Sequence, residues 1–305
     1  MSSFRNVLLV GASGTIGTVL LDEFQKESSF NLTILQRSSS KFRLPTYLKT
    51  IIIPDSYPTE DLVAAFKGQD VIINCMTTLS VPDQFRMVDA AIVAGVRRYI
   101  PSEFGLNNNK PETRALNVVF HDKGKLQDYL REKAADGVIE WMSIACGAWI
   151  RWAMANDFVG MHVRERKFTF WDDGDRYFSC TTEENTAAAL VRALKKPEET
   201  KNKCLFLSDF AITQKQLLAA IERVQGVKYE TETINGENFI KEKREAVRNG
   251  DKFATFALIE TGFVMGRFGG HLEKEPGEIM NEKLGLPKRN LDEVVVNGLR
   301  ALNLL

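Results

Sequence analysis

The stretch NVLLVGASGTIGTVLLDEFQ, Asn6 to Gln25, decides the fold. Its opening NVLLV is a continuous apolar run, the pattern of a strand buried on both faces of a parallel sheet. Directly behind it Gly11, Gly14 and Gly17 stand three apart. Ile16, Val19, Leu20 and Phe24 then recur at helical spacing. A glycine loop between a strand and a helix aims backbone N–H groups and a helix N-terminus at an anion. It needs glycine at the tight turn, where backbone approaches a pyrophosphate, and where helix packs on strand. The spacing is G-x-x-G-x-x-G rather than the G-x-G-x-x-G dinucleotide fingerprint, because Ala12 and Ser13 separate the first two glycines. Its context marks Gly11, Ser13, Gly14, Thr15, Ile16 and Gly17 as candidate nucleotide-binding residues, against a glycine turn that only packs.

Outward from this motif, strands alternate with helices. NLTIL (31–35), KTIII (49–53), DVIINCM (70–76), RRYIPS (97–102) and EWMSIAC (140–146) read as strands. TEDLVAAF (59–66), PDQFRMVDAAIVAG (82–95) and about 113–135 read as helices. This predicts an α/β protein: a Rossmann-like, doubly wound parallel sheet with a smaller C-terminal substrate domain. KCLFLSD (203–209) reads as a seventh strand of that sheet, and KFTFWDDGDRYFSCT (167–181) as a hairpin turned at Asp172–Gly174. The helix TQKQLLAAIERVQG is capped by Thr213 and closed by Gly226. The expected division is a dinucleotide-binding domain over 1–147, rejoined by about 177–209. A substrate-binding domain then takes 148–176 and 210–305, in keeping with about two domains for 305 residues.

Composition excludes several function classes. Forty basic residues balance forty acidic ones, so nothing argues for a nucleic-acid partner. No apolar run reaches the ~18 residues of a membrane helix, and no basic-then-apolar leader precedes Val7, so a cytoplasmic protein is expected. Cys75, Cys146, Cys180 and Cys204 form no C-x-x-C pair and read as reduced, buried thiols. His121, His162 and His271 share no ligand spacing, so no metal is expected.

The end of the second strand refines the nucleotide. An acidic residue about 20 positions past the loop would bond a ribose 2′-OH. Arg37 stands there instead, 20 residues beyond Gly17, in LQRSSSK. Arg37, Ser38 and Lys41 can cradle a 2′-phosphate, which favours NADPH over a solvated surface turn. Met76, Thr77 and Thr78 end the fourth strand and are expected to line the cofactor groove, with Asp55 facing the adenine.

GASGTIG, QRSSSK, YIPSEFG (99–105) and DKGKLQDYL (122–130) together resemble the NmrA-like, isoflavone-reductase-like branch of the atypical short-chain dehydrogenase/reductases. The C-terminal NEKLGLPKRNLDEVV is similar to fungal members. The resemblance covers nearly the whole chain, and PSEFG is its specific signature. It implies an extended Rossmann domain, NADPH, and reduction of a small hydrophobic substrate, aromatic or of polyketide or terpenoid type, in secondary metabolism. Some relatives instead bind the dinucleotide as redox sensors, and a cofactor-assisted isomerase is a further alternative. A monomer or homodimer is expected.

In the plant reductases of this group a lysine early in the helix after PSEFG serves catalysis. Lys123 matches that position, with Lys125 as the alternative register. Such a lysine can hold the nicotinamide ribose and shuttle a proton to or from a substrate oxygen. The chain departs from the Y-x-x-x-K pattern of related dehydrogenases, since Val119 occupies the tyrosine position. Tyr129 and Lys133 repeat the pattern later in the helix and read as coincidence. Glu103 is expected to bond the ribose side, brace Lys123 or close the turn. Trp149, Trp152 and Phe263, joined by Ile150, Met154, Val264, Met265 and Phe268, are the candidate substrate wall or ordinary core residues of the second domain.

Overall fold

The computed structural model describes residues 3–305. The chain runs β1 (Asn6–Val10), α1 (Thr15–Gln25), β2 (Asn31–Arg37), β3 (Lys49–Ile53), α2 (Thr59–Phe66), β4 (Val71–Asn74), α3 (Val81–Val93) and β5 (Arg98–Ile100). Next come α4 (Pro111–Arg114), α5 (Val118–Ala135), β6 (Glu140–Ala145), α6 (Ile150–Ala155), β7 (Met161–His162), β8 (Lys167–Trp171), β9 (Phe178–Cys180) and α7 (Glu183–Leu194). The remainder is α8 (Pro197–Thr200), β10 (Lys203–Phe206), β11 (Phe210–Ile212), α9 (Gln214–Gln225), β12 (Glu230–Ile234), α10 (Gly236–Arg248), α11 (Phe253–Val264) and α12 (Leu291–Ala301).

Seven strands form one sheet in the order β10-β6-β5-β4-β1-β2-β3. β1 pairs in parallel with β2 on one side and with β4 on the other. Chain order therefore reverses at β1, and a crevice opens beyond the carboxyl ends of β1 and β4, where sheets of this kind hold ligands. The unbroken apolar run of β1 is explained by burial on both faces, since Val7, Leu8, Leu9 and Val10 are all inaccessible. Leu8, Val10, Leu35, Ile72 and Tyr99 pack with Leu62, Phe66, Leu126 and Leu130 into one core.

The chain divides into two compact units. The first comprises the residues up to Glu103, Asp122–Ile144 and Thr186–Leu205; the second is Phe104–His121, Ala145–Asn185 and Phe206–Leu305. The second unit thus takes residues 104–121, which sequence alternation assigns to the first domain. Backbone pairing explains the difference: Gly105 bridges Ala145, and Asn107 N donates to Gly269 O at 3.0 Å. The second unit has its own core around Phe168, Trp171, Phe178, Leu217 and Leu258.

Two local expectations are corrected. The hairpin over 167–181 does not form: β8 pairs in parallel with β12 and antiparallel with β7, while β9 pairs with β11. The turn residues are used otherwise, because Asp172 N donates to Ile234 O and its carboxylate accepts from Gly236 N at 2.9 Å. The helix expected over 113–135 is broken into α4 and α5, where the Asn117 side chain accepts from Phe120 N. Thr213 and Gly226 do punctuate α9, through a capping box with Gln216 and a left-handed glycine.

Candidate active site

The three glycines do different work. Gly11 has φ +83°, and a Cβ there would lie 2.7 Å from the Cys75 carbonyl group. At Gly17 a Cβ would lie 2.2 Å from Gly11 O, so glycine lets α1 close on the loop. Gly14 is different: its φ is −80°, and the nearest atom to an added Cβ is 3.4 Å away. Gly14 is the N-cap of α1, no side chain caps that end, and no carboxylate stands in the first turn. The uncapped N–H groups leave an anion-binding end at the carboxyl edge of β1.

A cleft of about 220 Å³ opens there. Gly11–Gly14 form one wall, Leu35–Arg37 another, and Cys75–Thr77 a third. The cleft therefore gathers Gly11, Ser13, Gly14, Arg37, Met76 and Thr77. Thr15, Ile16 and Gly17 are off its walls; Ile16 and Gly17 are buried in the contact of α1 with the sheet.

The turn after β2 is organised differently from its sequence reading. Ser38 Oγ and Ser39 N each donate to Asp55 Oδ1 at 3.0 Å, and Ser39 Oγ donates to Asp55 Oδ2. The Ser39 hydrogen bonds hold the Asp55 carboxyl below its ordinary range. Asp55 is thus a clasp on the serine turn, and neither it nor Ser38 or Lys41 lines the cleft. The β2–β3 register explains this, since it pairs Arg37 with Ile53 and brings the two strand ends side by side. Ser40 takes the wall position, with its Oγ accepting from Gln36 Nε2 at 2.9 Å. Sequence reasoning missed Gln36, Ser40 and Tyr57. The first two flank Arg37 and were within reach; Tyr57 enters through a left-handed turn, φ 51°, that its residue type does not signal.

Buried polar groups organise the carboxyl ends of β4 and β5. Asn74 Oδ1 accepts from Met76 N at 2.9 Å, and Asn74 Nδ2 donates to Tyr99 Oη at 3.1 Å. Ser102 Oγ donates to Met76 O at 2.8 Å. Lys123, 7 % exposed, donates from Nζ to Glu103 O at 2.8 Å, while Lys125 points to solvent. Glu103 thus braces Lys123 through its carbonyl. Its carboxylate accepts from Gln127 Nε2 at 2.7 Å. Val119 is buried one turn ahead of Lys123. Tyr129 donates to Asp89 at 2.5 Å and packs at a tilt against Phe85, away from the cleft walls. Burial and the Asp89 carboxylate push the Tyr129 phenol up to about 12.

In the second unit the expected aromatic wall is mostly core. Ile150, Met154, Phe263, Val264, Met265 and Phe268 are buried. Trp152, Phe158 and Phe263 form an edge-on stack with centroids 5.2 and 5.6 Å apart. Trp149 is partly exposed and faces Phe104, 6.4 Å between rings. Phe104 holds a left-handed φ of 31°, a strain that persists only when its surroundings enforce it.

Among the described residues no group of three His, Cys, Asp or Glu side chains could hold a metal ion, and no helix is long and apolar enough to cross a membrane. Residues 4–257 match the NmrA-like family. The chain belongs to that family. An oxidoreductase, aprR, of Aspergillus flavus is 32 % identical over 299 residues, covering 96 % of this chain and 98 % of its own. A crystal structure of isoflavone reductase superposes with a TM-score of 0.76 at 22 % identity, covering 97 % of this chain and 99 % of that one. The binary complex of leucoanthocyanidin reductase with NADPH from Vitis vinifera superposes at 0.77 and 17 % identity, covering 97 % and 99 %.

Proposed function

We propose that this NmrA-like chain is an NADPH-dependent reductase of a small hydrophobic substrate, aromatic or of polyketide or terpenoid type, in secondary metabolism. The observation that carries the reading is the uncapped N-terminus of α1 opening over the glycine loop into a cleft that Arg37 also lines. The residues present fit a phosphorylated dinucleotide: open N–H groups suit a pyrophosphate, and an exposed guanidinium suits a 2′-phosphate. The fungal and plant relatives, named as oxidoreductases and reductases, support the same class. When bound, NADPH supplies a hydride.

The chain's own residues do the rest. Gly11 and Gly14 let backbone approach the phosphates, and Arg37 selects the phosphorylated form. Met76 and Thr77 shape the groove beyond β4. Lys123 Nζ holds or gives the proton, because the position one turn before it carries Val119 and not a phenol. Trp149, with Phe104 beside it, offers a flat partly exposed face to an aromatic substrate. Holding the reactants in contact and away from water supplies most of the rate.

One observation favours a second reading, a non-catalytic NADP(H) sensor: the phenol acid is missing. A buried lysine held at the strand ends argues against it, since sensing requires no proton-handling group there. Calorimetric titration with NADPH, NADP⁺ and NADH tests the cofactor, with tighter binding of the phosphorylated forms expected. Turnover of aromatic enones by the wild type, lost in Lys123→Ala with NADPH affinity largely kept, is the expected catalytic result. No dinucleotide binding, or turnover unchanged in Lys123→Ala, overturns the reading.

A further inference from the structure

We propose that Gln84 is a positioning residue that sets Lys123 through the backbone of the Pro101–Gly105 turn. The proposal rests on the reading of Lys123 as the proton-handling group. Gln84 projects from α3 and is wholly buried. Its Oε1 accepts from Ser102 N at 3.0 Å. The ladder between β4 and β5 ends at Ile73–Ile100, and Pro101 has no N–H to continue it. Ser102 N is therefore the first amide beyond the sheet that needs an acceptor, and a side chain provides it.

The next links are short and buried. Ser102 Oγ donates to Met76 O on the cleft wall, and Met76 N is held by Asn74 Oδ1. One residue after Ser102, Glu103 O accepts from Lys123 Nζ, and Glu103 Oε2 accepts from Gln127 Nε2. Gln84 thus fixes one side of Ser102 and Met76 fixes the other. The carbonyl that aims Lys123 is one residue further along the same strained turn, where Phe104 has a positive φ. A displacement at Ser102 is carried to Lys123 because Glu103 O is the next carbonyl along the chain, in a turn closed by Glu103 N donating to Pro101 O at 2.9 Å.

The unused half of the amide is the second observation. Gln84 Nε2 is buried with no hydrogen-bond partner. A desolvated donor left unmade costs stability, and a methionine of similar length would fill the space without it. What glutamine adds over methionine at this place is a fixed oxygen for Ser102 N. A side chain retained at a cost to stability for one directed hydrogen bond marks a geometric role.

The test uses the full chain without cofactor and reads Lys123 directly. Acetylation by N-hydroxysulfosuccinimide acetate is followed at each lysine by peptide mass spectrometry from pH 6 to pH 10. Gln84→Met and Ser102→Ala should each raise the Lys123 rate about tenfold and leave exposed lysines such as Lys125 unchanged. The double variant should rise no further than the larger single one, since both ties hold one turn. Gln84→Glu, which keeps an acceptor oxygen, should restore the wild-type rate and pH profile. NADPH affinity should stay within threefold throughout. A Lys123 rate unchanged in Gln84→Met overturns the proposal. So does a uniform rise at all lysines, which is general loosening, or a Gln84→Glu protein that labels like the methionine variant. If Gln84→Met fails to fold, Gln84→Leu, which also removes the acceptor for Ser102 N, decides in its place, and an unmoved Lys123 there overturns the proposal. Failure of the reductase reading shows separately, as absent NADPH binding or as turnover retained in Lys123→Ala.

Discussion

The three glycines of the loop separate into structural and ligand-facing roles, and alanine at two of them tests the separation. In Gly17→Ala the new methyl lies 2.2 Å from Gly11 O and 2.8 Å from Ala12 Cα. Both are backbone atoms and cannot rotate aside, so α1 must retreat from the loop by about 1 Å to restore ordinary contact. Overpacking of this kind costs up to ~3 kcal/mol. The helix propensity of alanine over glycine returns up to ~1 kcal/mol. The net loss is roughly 2 kcal/mol, a fall in Tm of about 4–8 °C for a domain of this size. In Gly14→Ala the methyl meets nothing nearer than 3.4 Å, and φ is already ordinary. The lower unfolded-state entropy of alanine stabilises by ~0.4–1 kcal/mol and offsets its poorer fit at an N-cap. Stability should stay within about 0.5 kcal/mol of wild type. The same methyl stands on the cleft wall that the proposal gives to the pyrophosphate, so NADPH affinity should fall at least tenfold, about 1.4 kcal/mol. Scanning calorimetry and isothermal titration of both variants are the assays. A Gly14→Ala protein that binds NADPH within twofold of wild type refutes the assignment of that backbone to the phosphates.

Three further outcomes are expected. Arg37→Ala should weaken NADPH by ~1.5–3 kcal/mol, the worth of a charged hydrogen bond, and leave NADH binding unmoved in the same titration. Tyr129→Phe should leave turnover unchanged and shift stability by no more than about 1 kcal/mol, because the phenol serves only Asp89; lost turnover would put the second Y-x-x-x-K pair in the mechanism. Burial lifts the Glu260 carboxyl from the ordinary 4.5 to about 7, while it accepts from Gly160 N at 2.9 Å. Both folded and unfolded states carry the proton below pH 4.5. Between there and pH 7 only the unfolded chain ionises, so stability is lost as pH rises. Glu260→Gln keeps the acceptor and should stabilise by at most roughly 3 kcal/mol at pH 8 and by nothing at pH 4, read from denaturant midpoints at the two pH values.

Periodicity and loop chemistry made the first unit legible. Apolar runs such as NVLLV need burial on both faces, and only a parallel sheet under helices offers that repeatedly. Arg37 was legible because the distance from glycine loop to second strand end is set by one helix and two turns. What failed was long-range. Asp172–Gly174 has turn chemistry, but nothing local says that β8 pairs with β12, 63 residues on in register from Thr169 to Glu232. Asp55 looked like a ligand-facing carboxylate because its partners, Ser38 and Ser39, are brought to it only by the β2–β3 register. The aromatic residues after β6 and in α11 could not be sorted into wall and core from sequence. Hydrophobicity is the same in both, and packing alone buried Phe263 and left Trp149 partly open.

The partner chosen for Lys123 bears on how the chain manages without a phenol. With Val119 buried in the tyrosine position, the proposed mechanism moves the proton at Lys123 Nζ. Lys123 Nζ donates to the carbonyl Glu103 O, and Glu103 Oε2 accepts from Gln127 Nε2. A carbonyl accepts an N–H from an ammonium and from a neutral amine alike. In the proposed mechanism this bond is therefore open to Lys123 Nζ in either protonation state. On that proposal, fixing the carbonyl fixes the proton carrier, and Gln84 contributes by supplying the acceptor for the first amide beyond the end of β5.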